Sequence, residues 1–437
     1  MSGYPIYFIV RSLVGRCLFA LAIAAALSLS GSAIAAEPAG SPANTIERPE
    51  FRAKNKPIAK TQSSVRAMVV TTTPDWQMLG RTLEVIATAR ILGPNQGPGE
   101  LKFTRPVGQE MSISAQEAMR AIQVRYPNWQ AAEIQLSFEE KYSPKDGGSA
   151  GTAFALLLLS LLEDIALDPA VAMTGDITVD WKVRNVGGVP AKVRGALLDG
   201  CKYAAIPTER ANDLYDMVLL HPPETLSKIQ VFGIETLHDA VALARKDRAP
   251  DLAAAIERFE KVQQELERSA DALTSESTRA ALEEVLKLAP NHLTARSMLE
   301  ISKGNAPKTL TLTASIDEVM GSTAPVRSFM WGGSEAKLGG PEDFLAAQRR
   351  LQKVRPILHP DSHRLCQSLM MVMSDGRKLA ELDRKAATAT TVEGRNRQLF
   401  NLQAQIKQFE PKARALANEL NKLSSDSAFW ERVTRGK

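Results

Sequence analysis

Between Ser143 and Gly151 the chain reads SPKDGGSAG. Lys145 and Asp146 run into Gly147 and Gly148, then Ser149, and then a long apolar stretch. Ser149 fits two roles. As a helix N-cap, its hydroxyl would accept from amides of the first turn. As a nucleophile, it would sit where two glycines let another backbone approach closely. The leading N–H groups of the helix would then face an oxyanion. The loop alone leaves both roles open.

A nucleophilic serine needs a base. Between residues 65 and 245 the chain holds His221 and His238, neither in a recognisable triad context. Lysine is the alternative, if its amine is neutral near neutral pH. Lys192 follows Gly187, Gly188 and Pro190, which places it in the first turn of a helix. The positive end of the helix dipole and desolvation would both lower its pKa. An exposed helical lysine is the plain reading of the same residue. Thr174, in MTGD, carries a hydroxyl that could hold the amine.

These residues lie in a region of mixed texture. VRAMVVTTT and RTLEVIATARIL read as strands, GPNQGPGE as a turn and LKFTRPV as a returning strand. SAQEAMRAIQVRY has helical spacing, with Ser114 as the expected N-cap. EIQLSF is a strand, and GTAFALLLLSLLEDIA is apolar all round, so it reads as a buried helix. AVAMTGDITVDWKV reads as two short strands, and GGVPAKVRGALLDG as a helix opened by Pro190 and stopped by Gly200. YAAIP and KIQVFGI add further strands.

The stretch from about Val65 to Arg245 resembles the proteolytic domain of Lon proteases, the Ser-Lys peptidases. PKDGGSAG is similar to the family's PKDGPSAG around its nucleophile, VAMTGDIT to VAMTGEIT, and VGGVPAK to IGGLKEK, which ends on the family's lysine. GELKFTRPVGQEMSISAQEA resembles the family's hairpin and first helix, and AAIPTERANDL its IPxxNxxDL segment. The resemblance implies Ser149 as nucleophile, Lys192 as general base, Thr174 as the hydrogen-bond partner of Lys192, and Asp146 as an active-site neighbour. Gly148 stands where the family has proline, Asp176 where it has glutamate, and Ser137 where many members carry histidine. The resemblance implies no cofactor. It also implies polypeptide substrates and the possibility of a homo-oligomer.

The chain departs from the family in architecture, because no G-x-x-x-x-G-K-[ST] phosphate loop occurs in it. The expectation is an exported, ATP-independent serine endopeptidase acting on unfolded or exposed segments. The alternative is a non-catalytic Lon-like binding or assembly protein whose helical region recruits partners.

The 437 residues favour two domains with tails. Arg11 and Arg16 precede an apolar run from Cys17 to Leu29, and Ala33-Ile34-Ala35 offers a cleavage site. Residues 1–35 read as a signal peptide for export to the periplasm or outside the cell, with membrane attachment only if it is not cleaved. Residues 36–64 read as a linker, 65–245 as the Lon-like domain, and 246–437 as an α-helical region. The fold class is therefore α+β followed by all-α. Net charge is +5, of which Arg11 and Arg16 supply two, and no dense basic run is interleaved with aromatics. A nucleic-acid partner is not expected. Cys201 and Cys366 fall in different domains and read as buried small hydrophobes rather than a disulfide.

In the helical region, TLTLTA is the one strand-like stretch, and ALEEVLKLAPNHLTARSMLEI resembles a single tetratricopeptide junction. Leu399, Leu402, Ile406, Phe409, Ala413, Leu416, Leu420 and Leu423 form a seam at 3-4 spacing. It fits either a coiled coil or a long helix packed on its own chain. Pro411, off the seam, should interrupt it. His359 and His363 have i, i+4 spacing but no evident third ligand, so no metal is expected.

Overall fold

A computed structural model describes residues 58–72, 78–92, 100–126, 132–139, 146–221, 224–331 and 338–425. The signal segment, most of the linker and the GPNQGPGE turn lie outside the described residues. The chain divides into two compact units. One ends at Pro307, and the other holds the residues from Lys308 onward.

The first unit is built on a mixed sheet of order β3-β4-β2-β1-β5-β8-β9. The strands are β1 (Gln62–Thr72), β2 (Met78–Ile91), β3 (Leu101–Phe103), β4 (Ala132–Phe138), β5 (Val171–Met173), β8 (Tyr203–Pro207) and β9 (Gln230–Ile234). β6 (Asp176–Ile177) and β7 (Val183–Arg184) form a small separate pair. β1, β5, β8 and β9 run parallel, while β2 and β4 pair antiparallel with Val85 opposite Phe138.

Alternate strand residues face opposite sides. Val171, Met173, Tyr203, Ala205, Phe232 and Ile234 join one core, while Ala172, Ala204, Ile206 and Val231 join another. The first core is filled by α1 (Gln109–Arg125) and α2 (Gly151–Glu163). Every residue of α2 from Gly151 to Leu162 is buried, as its all-round apolarity requires. The second core is filled by α3 (Val189–Leu198) and α4 (Asp213–Leu220), with the short α5 (Glu224–Ser227) beside them.

α6 (Leu237–Ala244) starts at a capping box between Thr236 and Asp239. Beyond Arg245, where the sequence texture changes, the same unit continues through α7 (Pro250–Arg268), α8 (Glu276–Leu288) and α9 (Leu293–Ser302). Residues 291–294 cover the outer edge of β9. Gly233 N–H donates to the Asn291 carbonyl at 2.8 Å, and Val231 N–H to Thr294 Oγ1 at 2.8 Å. His292 is wholly buried between Phe232 and Phe259, with ring centroids 4.4 and 4.5 Å away. Its Nδ1 accepts from Ala295 N–H, so Nε2 carries the proton toward Gln230 Oε1 at 3.1 Å.

The second unit, taken by itself, is helical: α10 (Leu312–Gly321), α11 (Arg327–Trp331), α12 (Pro341–Val354), α13 (His363–Thr388) and α14 (Val392–Ser425). α13 and α14 form a helical hairpin. Leu402, Phe409, Leu416 and Leu420 are buried along it, and Phe409 packs against Phe329 at 5.8 Å. These four residues of the apolar seam are thus covered within the chain, with Pro411 inside α14 and exposed. Cys201 and Cys366 are both free and buried.

Several local expectations need correction. Ser114 is not an N-cap, because α1 begins at Gln109 and Ser114 is buried in its second turn. LKFTRPV yields only β3, which pairs parallel with β4 and not with β2, since β4 takes the place beside β2. AVAMTGDITVDWKV makes three short strands instead of two. TLTLTA is no strand. Thr311 accepts from Ala314 N–H and caps α10, which starts at Leu312. The linker reading also ends early, since β1 starts at Gln62 and Ala59 N–H already bonds the Leu161 carbonyl at 2.8 Å.

Candidate active site

Lys192 sits in the first turn of α3. The left-handed Gly188, at φ 68°, starts that helix, and Pro190 occupies its first turn. Lys192 N–H makes an early helical bond to the Gly188 carbonyl at 2.9 Å. The backbone of β2 presses against this turn. A Cβ on Gly80 would lie 1.7 Å from the Ala191 carbonyl oxygen, and one on Gly195 would lie 2.1 Å from the Gly80 carbonyl carbon. Glycines at 80 and 195 are what allow strand and helix to touch backbone to backbone.

The Lys192 side chain is 2% exposed, and Nζ donates to Thr174 Oγ1 at 3.1 Å. Burial lowers its pKa to about 7, aided by the positive charge of Arg210. The neutral amine is then accessible near neutral pH.

Thr174 follows β5 directly and is fully buried. Its N–H donates to the Ala205 carbonyl on β8 at 3.0 Å. Its hydroxyl donates to the Ser149 carbonyl at 3.2 Å, which leaves an oxygen lone pair for Lys192. A neutral amine that donates one N–H to Thr174 keeps its own lone pair to accept a proton.

Ser149 is half-buried in a 3-10 turn, Gly148–Ala150, which runs into α2. Gly175 N–H donates to the Ser149 carbonyl at 3.0 Å, and Thr152 N–H to the Gly175 carbonyl at 3.0 Å. The segment carrying Ser149 is therefore stitched to the segment carrying Thr174. A turn that starts a buried helix points its leading amides outward, where negative charge is favoured.

Asp146 and Ser114 hold this loop from the other side. Asp146 Oδ1 accepts from Met111 N–H at 3.1 Å and from Gly147 N–H at 2.8 Å. It supplies the cap that Gly108, having no side chain, cannot give α1. Ser114 Oγ donates to the Gly148 carbonyl at 2.9 Å and approaches Asp176 Oδ1 at 3.4 Å. Asp176 also accepts from Ile177 N–H, and burial raises its pKa. Gly147 has φ 111°, a conformation suited to glycine, and nothing lies within 4 Å of its missing Cβ. Ser137 donates across the sheet to the Ile86 carbonyl at 3.5 Å.

Two further residues join the site. Arg210 and Asp213 form an ion pair at 2.7 Å with side chains 3% and 1% exposed. Sequence reasoning missed them, and their i, i+3 spacing in AAIPTERANDL is the one signal that could have found them. The two histidines go elsewhere. His238 packs on Trp181 at 5.0 Å, and His221 lies 3.5 Å from Arg194. In the second unit, His359 Nδ1 accepts from Asp361 N–H and His363 Nε2 faces the Leu358 carbonyl, so backbone groups occupy both rings.

Residues 47–246 match the family profile of the Lon protease (S16) C-terminal proteolytic domain. The chain is similar to the Lon protease of Haemophilus influenzae, 29% identical over 189 residues, which cover 40% of this chain and 23% of that protein. It is 32% identical to that of Methanosarcina barkeri over 151 residues, covering 33% and 18%. It is 29% identical to that of Escherichia coli K12 over 176 residues, covering 39% and 21%. The chain thus spans about a fifth of the length of these relatives. With its mixed sheet, its turn at Ser149 and its buried Lys192, the segment from 47 to 246 is a Lon-type C-terminal proteolytic domain.

Proposed function

We propose that the protein is an exported serine endopeptidase that uses a Ser149–Lys192 dyad without ATP. The observation that carries the proposal is the Lys192 amine. It is 2% exposed, and Thr174, which binds it, is also bonded to Ser149. A buried amine without a carboxylate partner is costly in its charged form, so it is a competent proton acceptor at neutral pH.

Ser149 Oγ attacks the carbonyl carbon of the peptide while its proton passes to Lys192 Nζ. The carbonyl oxygen becomes an oxyanion and takes hydrogen bonds from amides at the turn before α2. Collapse breaks the C–N bond, and Lys192 returns the proton to the leaving amine. The neutral Lys192 amine then takes a proton from water as the water oxygen attacks the acyl carbon; collapse breaks the bond to Ser149 Oγ, and Lys192 returns the proton to that oxygen. Thr174 positions the amine and carries no proton.

The lack of a phosphate loop in the 437 residues supports ATP independence. Substrates would then be unfolded segments or exposed loops, and a homo-oligomer is part of the proposal. The basic and apolar run from Arg11 to Ala35 supports export. Among the described residues no helix is long and apolar enough to cross a membrane.

The test is degradation of an unstructured protein such as a casein, with and without ATP, by wild type and Ser149→Ala, with a serine-reactive probe in parallel. Cleavage and labelling without ATP, both lost in Ser149→Ala, are expected. A folded wild type that neither cleaves nor labels would leave the binding-protein reading in its place. N-terminal sequencing from the native host tests export, with a start near Ala36 expected.

A further inference from the structure

Lys192 is not the sole buried cation in this part of the fold. β5 and β8 run parallel with Met173 opposite Ala205. Thr174, which binds the Lys192 amine, therefore lies beside the carboxyl end of β8. The chain leaves β8 at Pro207 and turns at once through a 3-10 turn, Thr208–Arg210, into α4. Both α4 and β8 pack on α3, the helix of Lys192. Arg210 Nε and an Nη both reach Asp213 Oδ2, at 2.9 and 2.7 Å, in a site almost closed to water. In the resembling IPxxNxxDL segment asparagine falls where this chain has Arg210, so the cation is a feature of this sequence.

Asp213 meets that cation through one oxygen, Oδ2. Its second oxygen, Oδ1, is buried with no hydrogen-bond partner, and burial raises its pKa to about 6. Arg210 has no such escape, since a guanidinium stays charged. The elements against α3 bring Arg81 and Glu84 from β2, Tyr203 from β8, and Asp213 and Asp216 from α4, while α3 itself carries Arg194. Against this background the Arg210–Asp213 pair lies where β8 and α4 pack on the helix of Lys192, and after burial the positive charge of Arg210 lowers the Lys192 pKa.

We propose that Arg210, locked in place by Asp213, is a positioning residue that holds Lys192 in its neutral, proton-accepting form. The proposal rests on the Ser149–Lys192 reading. It means that a charge pair built into the β8–α4 junction sets the pH range in which the base works. Two like charges in a dry site repel, so Arg210 disfavours protonation of Lys192, and Asp213 tempers that repulsion.

The test is the pH profile of peptide hydrolysis for the full chain. Activity should rise with pH as Lys192 loses its proton. In Arg210→Gln the rising limb should move to higher pH, by on the order of one unit, because the repelling charge is gone. In Asp213→Asn it should move to lower pH, because the charge is no longer tempered. Arg210→Lys should stay near wild type. A purely structural pair would lower rates in both variants without moving their limbs in opposite directions. If either single variant fails to fold, the paired Arg210→Gln/Asp213→Asn variant restores a neutral hydrogen-bonded pair, and its limb should still move to higher pH. Folded variants with unmoved limbs, or limbs moved the same way, would overturn the proposal. So would loss of folding in all of them. Lys192→Met separates the two readings. If it is inactive while the limbs do not move, only the role of Arg210 falls. If it is active, the dyad falls as well.

Discussion

Gly80 offers a sharp test, because it lies in a strand and carries no chemical group. Its Cβ position is 1.7 Å from the Ala191 carbonyl oxygen and 2.8 Å from the Lys192 backbone nitrogen. Real Cβ contacts essentially never fall under 3.0 Å, so Gly80→Ala must separate strand and helix by about 1.3 Å, the difference between 3.0 and 1.7. Both colliding groups are backbone, so no side chain can swing aside. The first turn of α3 would carry Lys192 away from Thr174. A displacement near 1 Å at a reacting group can cost about a hundredfold in rate. The overpacking itself should cost roughly 1–3 kcal/mol of stability. The assay is kcat for a peptide substrate beside a urea unfolding curve. Gly200→Ala is the control. Gly200 has φ 77° with nothing within 4 Å of its Cβ position, so alanine there is strained but meets no neighbour. It should lose about 1–2 kcal/mol and keep wild-type kcat. A folded Gly80→Ala with wild-type kcat and an unmoved unfolding midpoint would refute the reasoning.

Wild-type activity should rise with pH through about 7, the value to which burial and Arg210 bring Lys192, since the base works when neutral. Lys192→Arg should be folded and inactive, as a guanidinium keeps its proton. His292 should make the first unit acid-sensitive. Its pKa is pushed by burial to about 3, below the ordinary 6.5. Above 6.5 neither folded nor unfolded chain holds that proton. As pH falls from 6.5 toward 3 the unfolded chain takes it up alone, so stability drops by roughly 1.4 kcal/mol per pH unit. Denaturant unfolding across that range should show a shallower fall in His292→Gln, and equal slopes would count against it. Truncation after Glu393 removes a helix against which α13 packs. It should lower the melting temperature or solubility of the helical unit, and unchanged values would sink the point.

The parts of the fold legible in the sequence were those set by local pattern. The all-apolar run after Ser149 could only be a buried helix, and Gly188 with Pro190 marked the start of α3 before any packing was known. Lys192 and Thr174 could be named from residue type and motif. Their meeting depends on α3 packing on β2 and β8 while Thr174 leaves β5 beside β8, an arrangement that residue spacing does not encode. The start of α1 was misplaced for a physical reason. Its cap is the Asp146 carboxylate, brought from 35 positions away, and the local signal at Ser114 was a serine with another partner. β3 was misplaced because a turn and an alternating run predict a hairpin, whereas β4 takes the site next to β2. Arg210 escaped notice because a buried ion pair looks like any surface i, i+3 pair until its exposure is known.

The link between Asp146 and α1 has a consequence for how the domain opens. α1 takes its cap from the loop that carries Ser149, and that loop takes two of its anchors from α1, at Met111 and Ser114. Neither can fray alone. Melting of the first two turns of α1 takes the Ser114 hydroxyl from the Gly148 carbonyl, and lifting the loop uncaps the helix. Segments joined in this way open as one cooperative unit with a shared free energy. In hydrogen exchange the amides of Met111 and Gly147 should therefore report the same opening event, although they are far apart in the chain. A peptide long enough to seat against Ser149 would slow exchange at the start of α1, a helix whose N-terminal amides it need never touch.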